Sequence, residues 1–541
     1  MVLREDKFGQ SWLFPPRITD FIPEDHCCNL VVAVVERVDV RLAEQKYRSR
    51  PGNPAYPRRM LLRLVVQAAI DGVWSSRKID KLAHENVVYM YLTGNEKPDF
   101  RTICSFRKEN KELIEAVFKE TVRLARSAGL LHLGHLATDG TKMKANASND
   151  STLSKEELVE IRKIIEGGIA LDEEEDKLYG ERRGDELPPE LNTREKIRKK
   201  LDELEQSRGT RLRRAAKQLV AEHAFGDERQ KERVDEQIRT AAEELEENDL
   251  KAISLTDPEA RFMEHPQDQI KLSYNAQITA DHDSGIIVAQ DVTQACTDHA
   301  QVEPQVKKTE EQLGRLPEGT TWSFDNGYFS GGNLRFLERK RIDGYIPNST
   351  QAQELKGNEV EVGPFAKEQF EYDEATDQFR CPQGEFLSRK GEYEYGGKRV
   401  YAYYGARCGA CPFRSACAGP GRLKVITSDE YEAERRRMAA KMRSEAGKAA
   451  YAKRKETVEW IFGNIKQNLK FREFLTRGIE MVRIEHTLVC SAHNLKMIWS
   501  KWWRKVACIG KIQHLGASLL HKLGVMTGIV PQYLWRKGVV T

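Results

Sequence analysis

The chain has 541 residues, 31% of them charged, with 87 Lys and Arg against 83 Asp and Glu for a formal net charge of +4. That length exceeds the roughly 250 to 300 residues at which a single hydrophobic core stops growing, so several parts are expected; a charge so near neutrality does not by itself mark a nucleic-acid binder. The distribution says more: residues 151–250 hold 20 basic against 28 acidic side chains (net −8), and residues 421–541 hold 24 against 10 (net +14), which excludes one shared partner surface and suits the C-terminal part to a polyanion.

MVLREDKFGQSW has no apolar run behind its first charges, so no secretory signal is expected and the chain reads as cytoplasmic. Residues 1–129 predict a helical N-terminal domain, with helical spacing in NLVVAVVERVDV and RMLLRLVVQAAIDGVW and a breaker, YRSRPGNPAYPRR, between them. Ser75 or Ser76 and Asp99 or Thr102 are the expected caps of two further helical blocks. Arg77, Lys78, Arg101, Arg107 and Lys108 stand at helix beginnings. On residue types alone a solvated bundle is favoured over docking on DNA by a helix-turn-helix-like pair.

The texture changes at 130–150, where LLHLGHLATDGTKMKANA reads as a strand ending near Asp139 and Gly140. Residues 151–252, with their dense charge and sparse leucines, predict a solvated helical insertion, a hairpin of coiled helices. Strands resume over 253–349: KLSYNAQITADHDSGIIVAQDVTQ is a hairpin about HDSG, followed by a helix, the strand TTWSF, the helix NLRFLERKRI and the strand GYIPN. Residues 350–427, rich in Gly, Tyr and Cys, read as a second insertion of short strands; 428–500 return to helix, and 501–541 form a basic tail. The apolar stretch 507–530 is interrupted by Lys511, His514, His521 and Lys522 and reads as a packed helix rather than a membrane span.

Two aspartates stand where strands give way, Asp139 before Gly140 and Asp325 before Asn326 and Gly327. The ordinary account is a turn residue; the sharper one is a carboxylate at the edge where α/β sheets collect their sites. In ETVEWIFGNIKQNLK, Val458, Ile461, Phe462, Ile465 and Leu469 make the apolar stripe. Glu459 borders that stripe, about 100° round the axis, with Gly463 and Lys466 on its face. A glycine inside a helix costs about 1 kcal/mol relative to alanine, and here it leaves open the space beside a carboxylate. Three acids from two strand ends and a helix suit Mg²⁺ or Mn²⁺, and a pair of such ions serves phosphodiester displacement. Asp281, Asp283, Asp291 and Asp298 are assigned to turns or solvated edges, and Asp257 to a helix cap.

GNPAYPRRMLLRLVVQAAIDGVWSSRKI with PDFRTICSFR resembles the helical N-terminal region of bacterial insertion-sequence transposases, and FDNGYFS and YNAQITAD resemble stretches of the same proteins. The resemblance implies a DDE-type ribonuclease H-like mixed-sheet core, catalytic and metal-binding residues Asp139, Asp325 and Glu459, Mg²⁺ or Mn²⁺ as cofactor, and cleavage at element ends followed by strand transfer. It implies double-stranded DNA as partner, a homodimer or larger assembly on it, and no membrane. The signature around the third acid in that family is Tyr, two residues, Arg, three residues, Glu, six residues, Lys. Glu459 and Lys466 fit its second half; Tyr451 and Arg454 have the right mutual spacing, but four residues separate Arg454 from Glu459, Lys455 stands where the Arg belongs, and Glu456 is a rival acid. Lys466, Arg454, Tyr451, Arg77 and Lys78 are the expected DNA contacts, and the basic run from Arg435 to Lys455 the expected backbone-binding surface. Two alternatives are a transposase-derived DNA-binding regulator that no longer cuts and a metal-dependent nuclease without strand transfer.

Ten cysteines in a cytosolic chain point to thiols or metal ligands rather than disulfides. Cys381, Cys408, Cys411 and Cys417 form a CxxC knuckle with one near and one distant partner, a candidate structural zinc site evenly balanced against buried free thiols. Tyr393, Tyr395, Tyr401, Tyr403 and Tyr404 are expected to pack between strands rather than stack on flipped bases.

Overall fold

The N-terminal helices Cys27–Val35, Arg58–Ile70, Ser76–Glu85, Val87–Thr93, Phe100–Glu109 and Lys111–Ser127 follow the apolar spacing of the sequence. Asp99 caps its helix by accepting from the Thr102 amide at 2.7 Å, whereas Ser75 occupies the cap position without a capping bond. The computed structural model describes residues 17–46, 54–163, 165, 214–265, 269–419 and 422–504. The expected tail beyond Arg504, with its apolar helix and Cys508, and residues 166–213 of the charged insertion lie outside the described residues.

These helices share one continuous core with the central sheet. The link is the helix Ile479–Ile498, almost wholly buried, which packs against both Lys111–Ser127 and a sheet strand. Its Asn494 donates to Thr121 Oγ1 at 3.1 Å and to the Ile287 carbonyl at 2.8 Å, and accepts from the Ile287 amide at 2.8 Å, so a buried amide is fully used while fixing helix to sheet.

The first strand, β1 (His135–Lys144), leads into the charged insertion, which opens with β2 (Thr152–Ser154) and closes with β3 (Ala252–Ser254), an antiparallel pair. Its helices Arg214–Phe225 and Glu228–Glu247 pack on each other and share a small buried cluster with Leu153, Leu158, Ile161 and Ile253; the LPPELN break about which the hairpin is expected lies outside the described residues. The sheet then resumes with β4 (Arg261–His265), β5 (Gln269–Asp281) and β6 (Ile287–Thr293), followed by the helix Val302–Leu313, β7 (Thr321–Ser323), the helix Gly331–Lys340 and β8 (Asp343–Tyr345). The order across the mixed sheet is β4-β5-β1-β7-β8, with β6 on the β4 side of β5. β5 and β6 form the expected hairpin; β4 is a strand the sequence pattern did not predict.

One expectation is corrected. β1 does not end at Asp139; it runs on to Lys144, because β5 pairs with it antiparallel from Leu136 to Lys144. What stops near Asp139 is the neighbour on the other side: β7 pairs with β1 in parallel only at His135, Leu136 and Ala137. Asp139 therefore has an open flank in mid-strand. Trp322 of β7, fully buried, stacks on Phe324 at 5.6 Å and donates its Nε1–H to Thr138 Oγ1 at 2.7 Å, which fixes the height of β7 against β1.

The second insertion is an antiparallel sheet of five strands in the order β13-β12-β11-β10-β9: β9 (Glu371–Asp373), β10 (Gln378–Arg380), β11 (Phe386–Tyr395), β12 (Lys398–Gly405) and β13 (Val425–Ser428). Its buried apolar cluster is separate from the main core. Tyr403 packs inside it as expected, whereas Tyr393 and Tyr395 are exposed on the far part of the hairpin. Among the described residues no helix is long and apolar enough to cross a membrane.

Candidate functional site

The β1–β7 register carries the first part of the site. Ala137 pairs with Ser323, the last paired position of β7; two residues further on stand Asp139, still within β1, and Asp325, just past the end of β7. β7 has ended there, and Asp325 opens a short 3-10 turn, Asn326–Tyr328. The two carboxylates face the helix Glu445–Gln467, which packs across β1 and β7. Ser444 caps that helix by accepting from the Gly447 amide at 3.1 Å.

From this helix Arg454 reaches both acids: its Nη1 lies 3.0 Å from Asp139 Oδ2 and its Nη2 3.7 Å from Asp325 Oδ1. Tyr451, one turn earlier, donates to Asp325 Oδ1 at 3.1 Å. Two of the five residues expected to contact DNA are thus turned inward: Arg454 is only 7% exposed and Tyr451 is buried. The physical reason is that Arg454 sits on the sheet-facing side of the helix, where a cation left without a carboxylate would be costly. Lys466 lies on the same helix and donates to Thr141 Oγ1 at 2.9 Å; burial lowers its pKa against the opposing pull of Asp139. Arg77 and Lys78 remain exposed at the start of their helix, Arg77 over the Phe100 ring.

Burial pushes the Asp139 carboxyl up to about 7, with the nearby charges of Asp325 and Asp298 adding to the effect while Arg454 and the Gly140 amide oppose it. Asp298 is the residue that sequence reading missed. Assigned to a solvated edge, it instead accepts from Asn275 Nδ2 at 2.7 Å and Gln277 Nε2 at 2.6 Å. A Cβ on Gly140 would lie 2.9 Å from its Oδ1, so the glycine after Asp139 admits this third carboxylate. Because successive strand residues face opposite ways, Asp298 approaches from behind the sheet face that carries Asp139. Gln277 in turn accepts from the buried Tyr328 hydroxyl. Nothing in TDHAQ signals this role; only the path of the chain after β6 brings it here.

Glu459 stands apart from the two aspartates. Its side chain is exposed, without a hydrogen bond or ion pair among the described residues, and the position one helical turn after Arg454 is held by Val458, fully buried in the core. Lys466, expected on the same face, is half-buried against Thr141 while Glu459 is exposed. A Cβ on Gly463 would meet nothing within 4 Å, so no packing within the described protein requires that glycine. Glu456 is likewise exposed. Among the described residues no group of three or more His, Cys, Asp and Glu side chains is disposed to hold a metal ion.

Most of the expected backbone-binding run is spent within the protein. Arg435 pairs with Asp429, Arg436 with Glu432 at 2.9 Å, Arg437 with Glu338 at 2.8 Å and Glu374 at 2.6 Å, and Lys441 with Asp343 at 2.5 Å; Arg437 thereby joins the second insertion to the core. Arg443, Lys453 and Lys455 are exposed. Asp257 caps no helix of its own: fully buried, it accepts from Tyr274 Oη at 2.7 Å and from the Gly478 amide at 3.1 Å, tying β5 to the start of Ile479–Ile498. Asp281 and Asp291 are buried structural acids, Asp281 closing the β5–β6 turn through Ser284 and Asp291 pairing with Lys308 at 2.9 Å.

A family model described as a transposase DDE domain matches residues 380–499, which include Tyr451, Arg454, Glu459 and Lys466. A second, described as a transposase domain (DUF772), matches residues 16–109 of the N-terminal helices. No curated protein matches the chain.

Proposed function

We propose, for a chain whose two family matches support a DDE-type transposase of insertion sequences, that it cuts DNA at the ends of its element and joins the freed 3′ hydroxyl to target DNA, in a ribonuclease H-like core. The observation that carries this reading is that Arg454, from the helix that bears Glu459 and Lys466, bridges Asp139 of β1 and Asp325 just past the end of the parallel β7. The sheet order supports the same reading: a hairpin of β5 and β6, β1 beside it, then β7 and β8 in parallel.

The donor set fits hard divalent cations in kind. Two adjacent carboxylates, with Glu459 on the neighbouring helix as third, would hold Mg²⁺ or Mn²⁺, and the Arg454 guanidinium marks that the pocket attracts positive charge. Bound ions of this kind supply activation of the attacking hydroxyl or water and stabilisation of the leaving oxygen. The chain's own groups do the rest. Arg454 and Tyr451 orient the two carboxylates, Lys466 offers charge to a phosphate beside Thr141, and Asp298 with Gln277 and Tyr328 stiffens the strand behind Asp139. Gly463 leaves the outer face of the helix open to a DNA strand. Arg77, Lys78, Lys453 and Lys455 are exposed cations for backbone contact, and bringing two element ends together calls for a dimer or larger assembly on DNA.

The test is purified protein incubated with Mg²⁺ or Mn²⁺ and labelled element ends. Cleavage followed by joining is expected, and Asp325→Asn is expected to abolish cleavage while keeping DNA retention. Cleavage without joining assigns a nuclease, retention without nicking assigns a binding regulator, and undiminished cutting by Asp325→Asn overturns the site.

A further inference from the structure

The second insertion has a construction problem of its own. Its sheet of five strands is held by five buried apolar side chains, Phe370, Phe379, Leu387, Tyr403 and Ile426, and a core that small seldom stabilises a unit without a disulfide or a metal. All of its cysteines are free thiols.

Those four thiols come from two stretches of chain, Cys381 and the run Cys408–Cys417, and line one cavity of about 390 Å³. Cys381 follows β10 in a tight turn, CPQG, closed by the Gly384 amide donating to the Cys381 carbonyl at 2.8 Å, and the Glu385 amide donates to Cys381 Sγ at 3.3 Å. Cys408 and Cys411 bracket the 3-10 turn after β12, and Cys417 lies in the short helix Arg414–Ala418. Gly405 of β12 leaves room for the Cys408 sulfur, which a Cβ there would overlap. Arg407, Arg414 and Lys424 also line the cavity, against one acid, Glu385, with Lys424 donating to the Phe365 carbonyl at 2.8 Å, so basic groups outnumber acidic ones where thiolates would collect negative charge. Among the described residues no group of thiols is already disposed to hold an ion, so binding would draw the CxxC turn inward and couple metal uptake to the packing of the insertion.

We propose that Cys381, Cys408, Cys411 and Cys417 bind one Zn²⁺ as a tetrathiolate that staples the inserted sheet, independently of the carboxylate site. The four thiols lose their protons on binding and the ion has no open position for chemistry, so its role is structural. The experiment measures zinc content of the full chain and the reactivity of its thiols before and after chelation. One zinc per chain is expected, four thiols becoming reactive only when it is removed, and Co²⁺ substitution giving sulfur-to-metal charge-transfer absorption. Cys411→Ser and Cys417→Ser are each expected to lose the metal, while Cys104→Ser, an exposed cysteine far from the cavity, keeps it. Wild-type protein without zinc whose four thiols react at once, even after zinc is added back, overturns the proposal. So does zinc retained in full by both Cys411→Ser and Cys417→Ser.

Discussion

The central sheet and the inserted sheet hold their chemistry in opposite ways. In the first, a core running from the N-terminal helices to Ile479–Ile498 supports β7 against β1 over three paired positions, and Arg454 bridges Asp139 and Asp325 just beyond them. In the second, five buried side chains hold five strands and the four cysteines remain distributed around a cavity. A well-packed sheet can pre-position charged groups against their own repulsion, with Arg454 offsetting it; a thin sheet must take its geometry from what its ligands bind.

The largest effect that would break this contrast comes from Phe379→Ala. Phe379 is fully buried between Tyr372 and Tyr403, with ring centroids at 4.9 and 4.8 Å, and its loss is expected to cost about 3 to 5 kcal/mol. Limited proteolysis should then cut within residues 371–428 while the main unfolding transition stays in place. A parallel fall of the main transition would mean that the two sheets stand or fall together.

Arg454→Ala removes the cation from between two inward-facing carboxylates and is expected to destabilise the main core by about 3 kcal/mol, read by chemical denaturation. Adding Mg²⁺ should raise the unfolding midpoint of this variant more than that of wild type, because the ion would take over the charge that Arg454 balanced. Equal response to Mg²⁺ would detach the acids from metal binding.

Acid sensitivity of the main core comes next. His493 is buried neutral, accepting from Asn464 at 2.9 Å through Nδ1 and donating to the Gly285 carbonyl at 2.9 Å through Nε2, and burial lowers its pKa from 6.5 to about 4. Between those values the unfolded chain binds a proton that the folded chain refuses, so stability falls as the pH drops through that window, by up to about 1.4 kcal/mol per pH unit for this one group. His493→Gln should flatten the acid limb of stability against pH by about one proton. An unchanged slope would show that the imidazole is not held neutral.

The smallest expected effect is a gain. Gly463→Ala meets open space and should stabilise the helix by about 1 kcal/mol, seen as a higher unfolding midpoint, while weakening DNA retention if a strand passes over that face. A lower midpoint would mean that the glycine serves the fold.

What the sequence made legible follows from periodicity. The hairpin about HDSG, the helix stripe through Val458 and Ile465, and the position of Asp325 after TTWSF all rest on local pattern. The extent of β1 did not, because Gly140 reads as a stop while the antiparallel partner β5 carries the strand four residues past it. Arg454 looked like one charge in a basic run; only the docking of the helix on β1 and β7 turns it inward. Asp298 depends on Gly140 having no side chain and on the route of the chain from β6, neither of which leaves a local signature. The stripe predicts Glu459 at the border of the core, whereas it is exposed; helix periodicity alone did not show how the helix is rotated on the sheet.

Iron-directed backbone cleavage tests the central claim most directly. Protein loaded with Fe²⁺ and given ascorbate and peroxide should break near residues 139–141, 325–327 and 455–463 at once, with Mn²⁺ suppressing all three cuts and Asp139→Asn removing them. Scission confined to other segments, or cuts that persist unchanged in Asp139→Asn, would contradict a shared cation site built from the two strands and the helix.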